Sequence, residues 1–186
     1  VQAFTPLLRE SRGRIVSVGS LGGRLAQPMA APYCASKFAL EAISDALRIE
    51  LKPWGISVSL IEPGAVKTPI WDKGKQAGED LLSKAPAQIR QLYGRAVEIA
   101  SSIAEHENRT GVDPIEVARA IEHALLAPRP KTRYAVGRQA RILIPLTRFM
   151  PDRLKDELIL RVGKLPRTVA DTASRSAAIR PERARV

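Results

Sequence analysis

Residues 14–20 read Arg-Ile-Val-Ser-Val-Gly-Ser, and residues 56–64 read Ile-Ser-Val-Ser-Leu-Ile-Glu-Pro-Gly. Each segment is a short apolar run that ends in turn-forming residues, as buried β-strands do. The segment between them, 31–52, carries apolar residues at helical spacing and is followed by Pro53 and Gly55, which end helices. Those helical apolar positions are Phe38, Ile43, Leu47 and Leu51. Strands that alternate with helices predict a parallel sheet in an α/β fold.

The residues that follow these two strands are expected to lie together. We predict the strands over 14–19 and 56–61, so that Ser20 follows the first strand, while Pro63 and Gly64 lie in the turn after the second. The carboxyl ends of parallel strands meet at one edge of a sheet, and ligands bind beyond that edge. These three residues are therefore predicted to line one crevice.

A tyrosine and a lysine near the start of the predicted helix are the residues most directly tied to a reaction. Tyr33 and Lys37 are four positions apart, so their side chains share one helical face, with Cβ atoms about 5–6 Å apart. A free phenol has a pKa near ~10, and a fixed ammonium nearby favours the phenolate, which makes a tyrosine usable for proton transfer. Ser20, thirteen positions before Tyr33, would hydrogen-bond the same substrate oxygen. These groups suit the interconversion of an alcohol and a carbonyl.

At four motifs that occur in order, the sequence resembles the short-chain dehydrogenase/reductase family. The motifs are 14–20, the thirteen-residue gap to Tyr33, Lys37, and the segment 61–68, which reads Ile-Glu-Pro-Gly-Ala-Val-Lys-Thr. The family has a strand that ends in the serine, a helix with the tyrosine and lysine, a further strand, and a Pro-Gly turn followed by threonine. The resemblance extends over about residues 1–136 and implies a Rossmann-like, doubly wound parallel sheet.

The resemblance implies a role for each reactive side chain. Tyr33 would exchange a proton with the substrate oxygen, Lys37 would lower the pKa of the phenol and bind the nicotinamide ribose, and Ser20 would polarise the substrate oxygen. The implied enzyme is an NAD(P)-dependent dehydrogenase/reductase that acts on a small-molecule alcohol or carbonyl by hydride transfer.

The resemblance also implies which residues hold the cofactor. Pro63 and Gly64 would form the wall beside the nicotinamide, while Thr68 and the backbone of Val66 would hold the carboxamide. The implied cofactor-binding set is Tyr33, Lys37, Pro63, Gly64, Val66 and Thr68. The cofactor is NADP or NAD, a choice that the sequence does not make, and no metal site is predicted.

The family's first strand, glycine-rich turn and helix, which hold the pyrophosphate of the dinucleotide, have no counterpart in this sequence. The segment 19–23 is rich in glycine but lacks the G-x-G-x-x-G spacing. Residues 1–8 are patterned like the latter part of an amphipathic helix. We therefore expect 1–137 to be the C-terminal part of a Rossmann-like dehydrogenase domain from a longer protein, and inactive alone. The alternative is a non-catalytic fragment, or a degenerate family member that acts as an interaction protein.

Between Thr68 and about Asn108 the chain is predicted to be mostly helical, with breaks at glycines and at Pro86. Those glycines are Gly74, Gly78 and Gly94. The family has a mobile flap over the substrate here, and its apolar side chains would form a largely apolar lid. These side chains are Ile70, Trp71, Leu81, Leu82, Ile89, Leu92 and Tyr93. A helix pair that packs this stripe on the domain explains them equally well. A lid would favour a lipophilic substrate, such as a steroid, retinoid or acyl compound.

The C-terminal part is predicted to add a helical extension, 138–165, and a basic, disordered tail, 166–186. Two short apolar stretches with basic flanks lie within 139–164, and neither approaches the ~20 residues of a membrane span. They fit helices that cover the substrate pocket or a partner subunit, and equally a peripheral helix on an anionic membrane surface. A homo-oligomer is also expected, because residues 1–9 and the Tyr33 helix correspond to helices that pair subunits in the family.

Composition restricts the remaining alternatives. The net charge is +11, but residues 1–128 carry 15 Lys and Arg against 14 Asp and Glu, whereas residues 129–186 carry 15 against 5. The basicity therefore belongs to the C-terminal extension, and aromatic residues amount to 4%, too few for a base-stacking surface. No specific nucleic-acid partner is predicted. Cys34 alone cannot form an internal disulfide, which favours a reducing compartment and a cytoplasmic protein, with membrane association left open.

Overall fold

The computed structural model describes residues 1–163 and residue 165 of the 186-residue chain. Within these residues the strands are β1 Arg14–Val18, β2 Ser57–Pro63 and β3 Arg133–Val136. The helices are α1 Thr5–Ser11, α2 Ala31–Glu50, α3 Ile70–Lys84, α4 Ala87–Thr110, α5 Pro114–Leu126, α6 Arg138–Arg148 and α7 Asp152–Val162. Short 3-10 turns span Gln2–Phe4, Leu21–Gly23 and Lys52–Trp54. The predicted basic tail, 166–186, lies outside the described residues.

The chain divides into two units. The first consists of residues 1–68 and 107–150, and it contains all three strands. The second consists of residues 69–106 and of the described residues from 151 onward. The seven predicted catalytic and cofactor-binding residues all belong to the first unit, whereas the predicted lid belongs to the second.

The sheet of the first unit is parallel, in the order β1-β2-β3. Val18, the last residue of β1, is in register with Ile61, and Pro63, the last residue of β2, is in register with Val136. The carboxyl ends of β1 and β2 therefore lie at the same edge. The parallel α/β sheet predicted from the sequence is confirmed.

Helices cover both faces of this sheet. On one face, side chains of β1 and β2 pack with residues of α1 and α2 in a cluster of Leu8, Ile15, Leu47, Leu51, Ile56 and Val58. On the other face, α5 packs in a cluster of Val16, Ile61, Val117, Ile121, Ala124 and Val136. Consecutive residues of β1, Ile15 and Val16, pack on opposite faces, as expected for a strand between two helical layers.

β2 is longer than the sequence predicts. The sequence predicts that this strand ends at residue 61, but it continues to Pro63. Proline lacks an N–H and is tolerated only where no ladder bond is needed. β1 has already ended opposite Ile61, so Pro63 has a neighbouring strand on one side only, and the N–H of Gly64 donates a 3.0 Å bond to the carbonyl of Val136.

The predicted breaks at Gly74, Gly78 and Gly94 are wrong. The first two glycines lie inside α3 and the third inside α4, and the two helices are separated only at Ala85 and Pro86. A glycine within a helix costs ~1 kcal/mol relative to alanine but keeps its N–H. Proline removes the N–H and drives the preceding residue into an extended conformation, and Ala85 has φ −75° and ψ 150°.

The buried face of α2 differs from the one that its apolar residues indicate. Phe38 and Ile43 are 43% and 53% exposed, whereas Cys34, Glu41 and Ser44 are buried. A glutamate can occupy a buried helical position only when its charge is paired, and Glu41 is paired with two arginines.

Candidate active site

Ser20 lies directly beyond the carboxyl end of β1, at the start of a tight turn. The N–H of Gly19 donates a 2.7 Å hydrogen bond to the carbonyl of Ile61, so the chain is held to β2 up to the residue before the serine. The Ser20 hydroxyl caps the turn Leu21–Gly23 and accepts a 3.0 Å hydrogen bond from the N–H of Gly22. A hydroxyl that accepts this bond keeps its O–H as a donor.

Tyr33 lies in the first turn of α2, beside the Ser20 turn. A Cβ atom added to Gly22 would lie 3.1 Å from Cε1 of Tyr33 and 3.5 Å from Oγ of Ser20. Because Gly22 has no side chain, the tyrosine ring packs against the turn that holds the serine. Tyr33 is 42% exposed, so part of the ring stays accessible.

Lys37 lies one helical turn after Tyr33. Its Nζ atom donates a 3.1 Å hydrogen bond to the carbonyl of Val18 and lies 5.7 Å from the centre of the Tyr33 ring. An ammonium has three N–H donors, and the bond to Val18 uses one of them. The structure therefore brings Ser20, Tyr33 and Lys37 together at the carboxyl end of β1.

Pro63 and Gly64 end the adjacent strand, at the same edge of the sheet as Ser20. Pro63 is buried and Gly64 is partly buried. The segment is fixed from the side of α6, because Oε1 of Gln139 accepts a 3.2 Å hydrogen bond from the N–H of Ala65. A Cβ on Gly64 would lie 3.1 Å from that same oxygen, so this position is closely packed.

Val66 and Thr68 follow on the same segment. Val66 forms an isolated parallel bridge with Val112, and the N–H of Lys67 donates a 3.0 Å bond to the carbonyl of Val112. Thr68 is partly buried and is the last residue of this part of the first unit. The residues before α5 thus hold the segment that carries both predicted carboxamide contacts.

Sequence reasoning missed a cluster of charged side chains next to these segments. Glu41 and Glu62 are only 7% and 2% exposed, and each carboxylate contacts both Arg24 and Arg133. Arg133 also contacts Asp45 at 2.8 Å. The available signal was a glutamate within each of two otherwise apolar patterns, at positions 41 and 62.

Burial and pairing act in opposite directions on these groups. Burial raises the pKa of Glu41, and the nearby Glu62 carboxylate adds to this, while hydrogen bonding and charge from Arg133 and Arg24 oppose it. Burial alone would lower the pKa of Arg133, but its hydrogen bond to Glu41 and the surrounding carboxylates raise it. The arginine thus keeps its charge, and the carboxylate is the member of the pair that burial disfavours.

Comparison with known proteins gives consistent matches. The family profile described as "short chain dehydrogenase" matches residues 1–79. "Retinol dehydrogenase 16" of Homo sapiens is 34% identical over 88% of this chain and 53% of its own length. "D-beta-hydroxybutyrate dehydrogenase, mitochondrial" of Mus musculus is 37% identical over 72% of this chain and 40% of its own length.

A solved structure of a short-chain dehydrogenase from Streptomyces avermitilis matches with a TM-score of 0.57 at 26% identity, over 95% of this chain and 57% of that chain. The chain thus spans about half the length of the relatives that it matches. The shared sequence, the parallel sheet and the matched structure agree. The chain belongs to the short-chain dehydrogenase/reductase family.

Proposed function

We propose that the protein containing this chain is an NAD(P)-dependent oxidoreductase that interconverts an alcohol and a carbonyl. The observation that carries the proposal is the grouping of Ser20, Tyr33 and Lys37 at the carboxyl edge of a parallel sheet. This edge is where ligands bind in open α/β sheets. A hydroxyl, a phenol and an ammonium are the groups that such a reaction needs for handling one proton at one oxygen.

Each of the three side chains would have a different role in the reaction. In alcohol oxidation, the phenol oxygen of Tyr33 takes the proton of the substrate hydroxyl, and in carbonyl reduction it returns that proton to the substrate oxygen. Ser20 hydrogen-bonds the same oxygen and stabilises the charge that develops on it. Lys37 supplies a positive charge beside the tyrosine ring.

The residues present fit a nicotinamide dinucleotide, either NADP or NAD. Lys37 has N–H donors beyond the one used on Val18, and they suit ribose hydroxyls. Val18 and Tyr33 are 44% and 42% exposed, so this edge is open to a ligand. The bound cofactor would accept or supply the hydride. We assign the wall beside the nicotinamide to Pro63 and Gly64, and the carboxamide contacts to Thr68 and the backbone of Val66.

We propose a lipophilic substrate. The segment 69–106 of the second unit exposes several large apolar side chains, namely Ile70, Leu81, Leu92 and Tyr93. The relative named for retinol supports this assignment, whereas the relative named for hydroxybutyrate represents a small polar substrate. Turnover of retinol compared with turnover of 3-hydroxybutyrate therefore tests the proposed substrate class.

A homo-oligomer is proposed from the outward face of α2. Seven residues on this face are apolar and exposed: Ala35, Phe38, Ala39, Ala42, Ile43, Ala46 and Ile49. A continuous apolar face of this kind on a helix commonly contacts another protein surface. Sedimentation of the intact protein tests the proposal, and Phe38→Glu should reduce the assembled species.

A peripheral membrane contact is also proposed, and within 139–164 we assign it to α6 and to Phe149, the residue that follows this helix. Ile142, Leu146 and Phe149 are 50%, 50% and 84% exposed and lie at helical spacing. The helix contains Arg138, Arg141 and Arg148 and no acidic residue, whereas α7 carries Asp152, Asp156 and Glu157. An apolar stripe with basic neighbours suits an anionic lipid surface. We propose that the protein is cytoplasmic and reaches the membrane through this stripe. No helix among the residues 1–163 is long and apolar enough to span a membrane.

Dinucleotide titration followed by turnover assays tests the proposed function. The intact protein is titrated with NADPH and NADH by fluorescence, and turnover is then measured with retinol and with 3-hydroxybutyrate. We expect saturable binding of at least one dinucleotide and faster turnover of retinol. Faster turnover of hydroxybutyrate would refute the lipophilic substrate alone. Absence of dinucleotide binding would refute the oxidoreductase and favour an interaction protein.

A further inference from the structure

Four side chains of the charged cluster form a closed ring. Oε1 of Glu62 accepts hydrogen bonds from Nε of Arg24 at 2.8 Å and from Nη1 of Arg133 at 3.2 Å. Oε2 of Glu41 lies 3.3 Å from Nη2 of Arg24 and also contacts Nη1 of Arg133. Each arginine therefore bridges the two buried carboxylates, and each carboxylate bridges the two arginines.

The ring is attached to every segment of the candidate active site. Arg24 follows the turn that Ser20 caps, Glu41 lies one helical turn after Lys37, and Glu62 directly precedes Pro63. Arg133, the fourth member, begins β3. The serine turn, the tyrosine helix and the Pro-Gly turn are thus connected to one another through partly buried, charge-assisted hydrogen bonds.

The serine turn packs closely against α2. A Cβ on Gly23 would lie 2.9 Å from the backbone carbonyl oxygen of Lys37 and 3.1 Å from Cγ of Glu41. The turn therefore packs directly on the helix, between the lysine and the glutamate. A displacement of Arg24 would be transmitted through Gly23 to this contact.

Stability alone does not account for such a ring. Buried ion pairs are often no more stabilising than apolar residues of the same volume, because both charges lose their hydration. Oε1 of Glu41 and Oγ of Ser44 are also buried without a hydrogen-bond partner in the described part of the chain. The ring instead offers directional contacts, because the planar guanidinium group fixes the angle at which each carboxylate approaches.

We propose that the ring of Arg24, Glu62, Arg133 and Glu41 is a positioning device that holds the Ser20 turn, the Tyr33 helix and the Pro63 turn in one fixed arrangement. The four side chains act through the segments that carry the reactive groups. The effect of the ring on turnover rests on the proposed function, whereas its effect on the placement of Tyr33 does not.

The test replaces Arg24 in the intact protein and follows Tyr33 directly. The protein is labelled with 3-fluorotyrosine, and the ¹⁹F resonance of Tyr33 is assigned by its loss in Tyr33→Phe. We expect Arg24→Gln to shift or split this resonance and to lower kcat on the order of 10²-fold, as small displacements of reactive groups do. Arg24→Lys should not restore either, because an ammonium cannot bridge two carboxylates as a guanidinium does.

Arg14→Gln is the matched control. Arg14 also anchors the sheet, through hydrogen bonds of 3.2 and 2.7 Å to the carbonyls of Ala124 and Ala127, but it lies at the opposite end of β1 from Ser20. We expect this variant to lose stability while the Tyr33 resonance and kcat stay close to those of the parent. If Arg24→Gln does not fold, Glu62→Gln, which keeps the side-chain size, is tested in the same way.

Two results would overturn the proposal. One is an unchanged Tyr33 resonance in a folded ring variant, and the other is an equal change in Arg14→Gln. If the parent protein binds no dinucleotide, the proposed function fails, but the fluorine resonance still decides whether the ring positions Tyr33.

Discussion

Gly23→Ala measures how closely the serine turn packs on α2. The added Cβ would lie 2.9 Å from the carbonyl oxygen of Lys37 and 3.1 Å from both the carbonyl carbon of Lys37 and Cγ of Glu41. Two of these three atoms belong to the backbone of a long helix, so they cannot move aside as a side-chain end does. Gly23 has an ordinary φ, and the expected strain therefore comes from packing alone.

The expected cost follows from the size of this clash. Overpacking by one methyl group in a well-packed site typically costs ~1–3 kcal/mol, and contact with backbone atoms places Gly23→Ala in the upper part of that range. The free energy of unfolding is measured by urea denaturation of the intact protein, at an unchanged m-value. We also expect kcat to fall, because Ser20 caps the same turn.

Gly74→Ala is the matched control for Gly23→Ala. A Cβ at Gly74, which is inside α3, would have no described atom within 4 Å apart from its chain neighbours and the backbone of its own helix. Alanine should therefore stabilise this helix by ~0.5–1 kcal/mol. A Gly23→Ala variant with the urea midpoint of the parent, beside a stabilised Gly74→Ala variant, would refute the close packing of the serine turn on α2.

Three further predictions concern the tyrosine, the buried glutamate and α6. Gly22→Ala, whose Cβ would press on the movable Tyr33 ring at 3.1 Å, should lower kcat more than it lowers the urea midpoint; the reverse order would contradict the packing described. Burial raises the pKa of Glu41 in the folded protein. The protonated side chain therefore contributes fully to stability below the pKa of the unfolded chain, and this contribution is lost as pH rises through the folded pKa. Glu41→Gln should flatten the fall in Tm between these two pKa values, and a Tm–pH profile equal to that of the parent would show that Glu41 does not cause the fall. Phe149→Ser should weaken sedimentation with phosphatidylserine vesicles at high salt, whereas Leu154→Ser should not. Equal binding by the parent and both variants would contradict the proposed membrane contact of α6.

The sequence predicted the sheet and the grouping of the reactive residues because both depend on local patterns. Apolar runs before Ser20 and before Pro63 identify two neighbouring strands, and parallel strands place their carboxyl ends at one edge. The spacing of Tyr33 and Lys37 alone places them on one helical face.

Long-range pairing explains what the sequence could not predict. Glu41 is buried in place of Phe38 because arginines at positions 24 and 133 reach it from distant parts of the chain, and no local pattern shows which charges will meet. Similarly, β2 extends to Pro63 because β3 continues alongside it after β1 has ended. Hydrophobic periodicity describes a single element, whereas these features depend on the neighbours of that element.

Tyr33→Phe in the intact protein tests the central claim most directly. The substitution removes only the phenol oxygen, so the ring should still pack against Gly22. We predict that turnover falls by ~10²–10⁴-fold, the usual contribution of a positioned proton-transfer group, while the dissociation constant for the dinucleotide stays nearly unchanged. Turnover at the parent rate in Tyr33→Phe would contradict the assignment of proton transfer to this tyrosine.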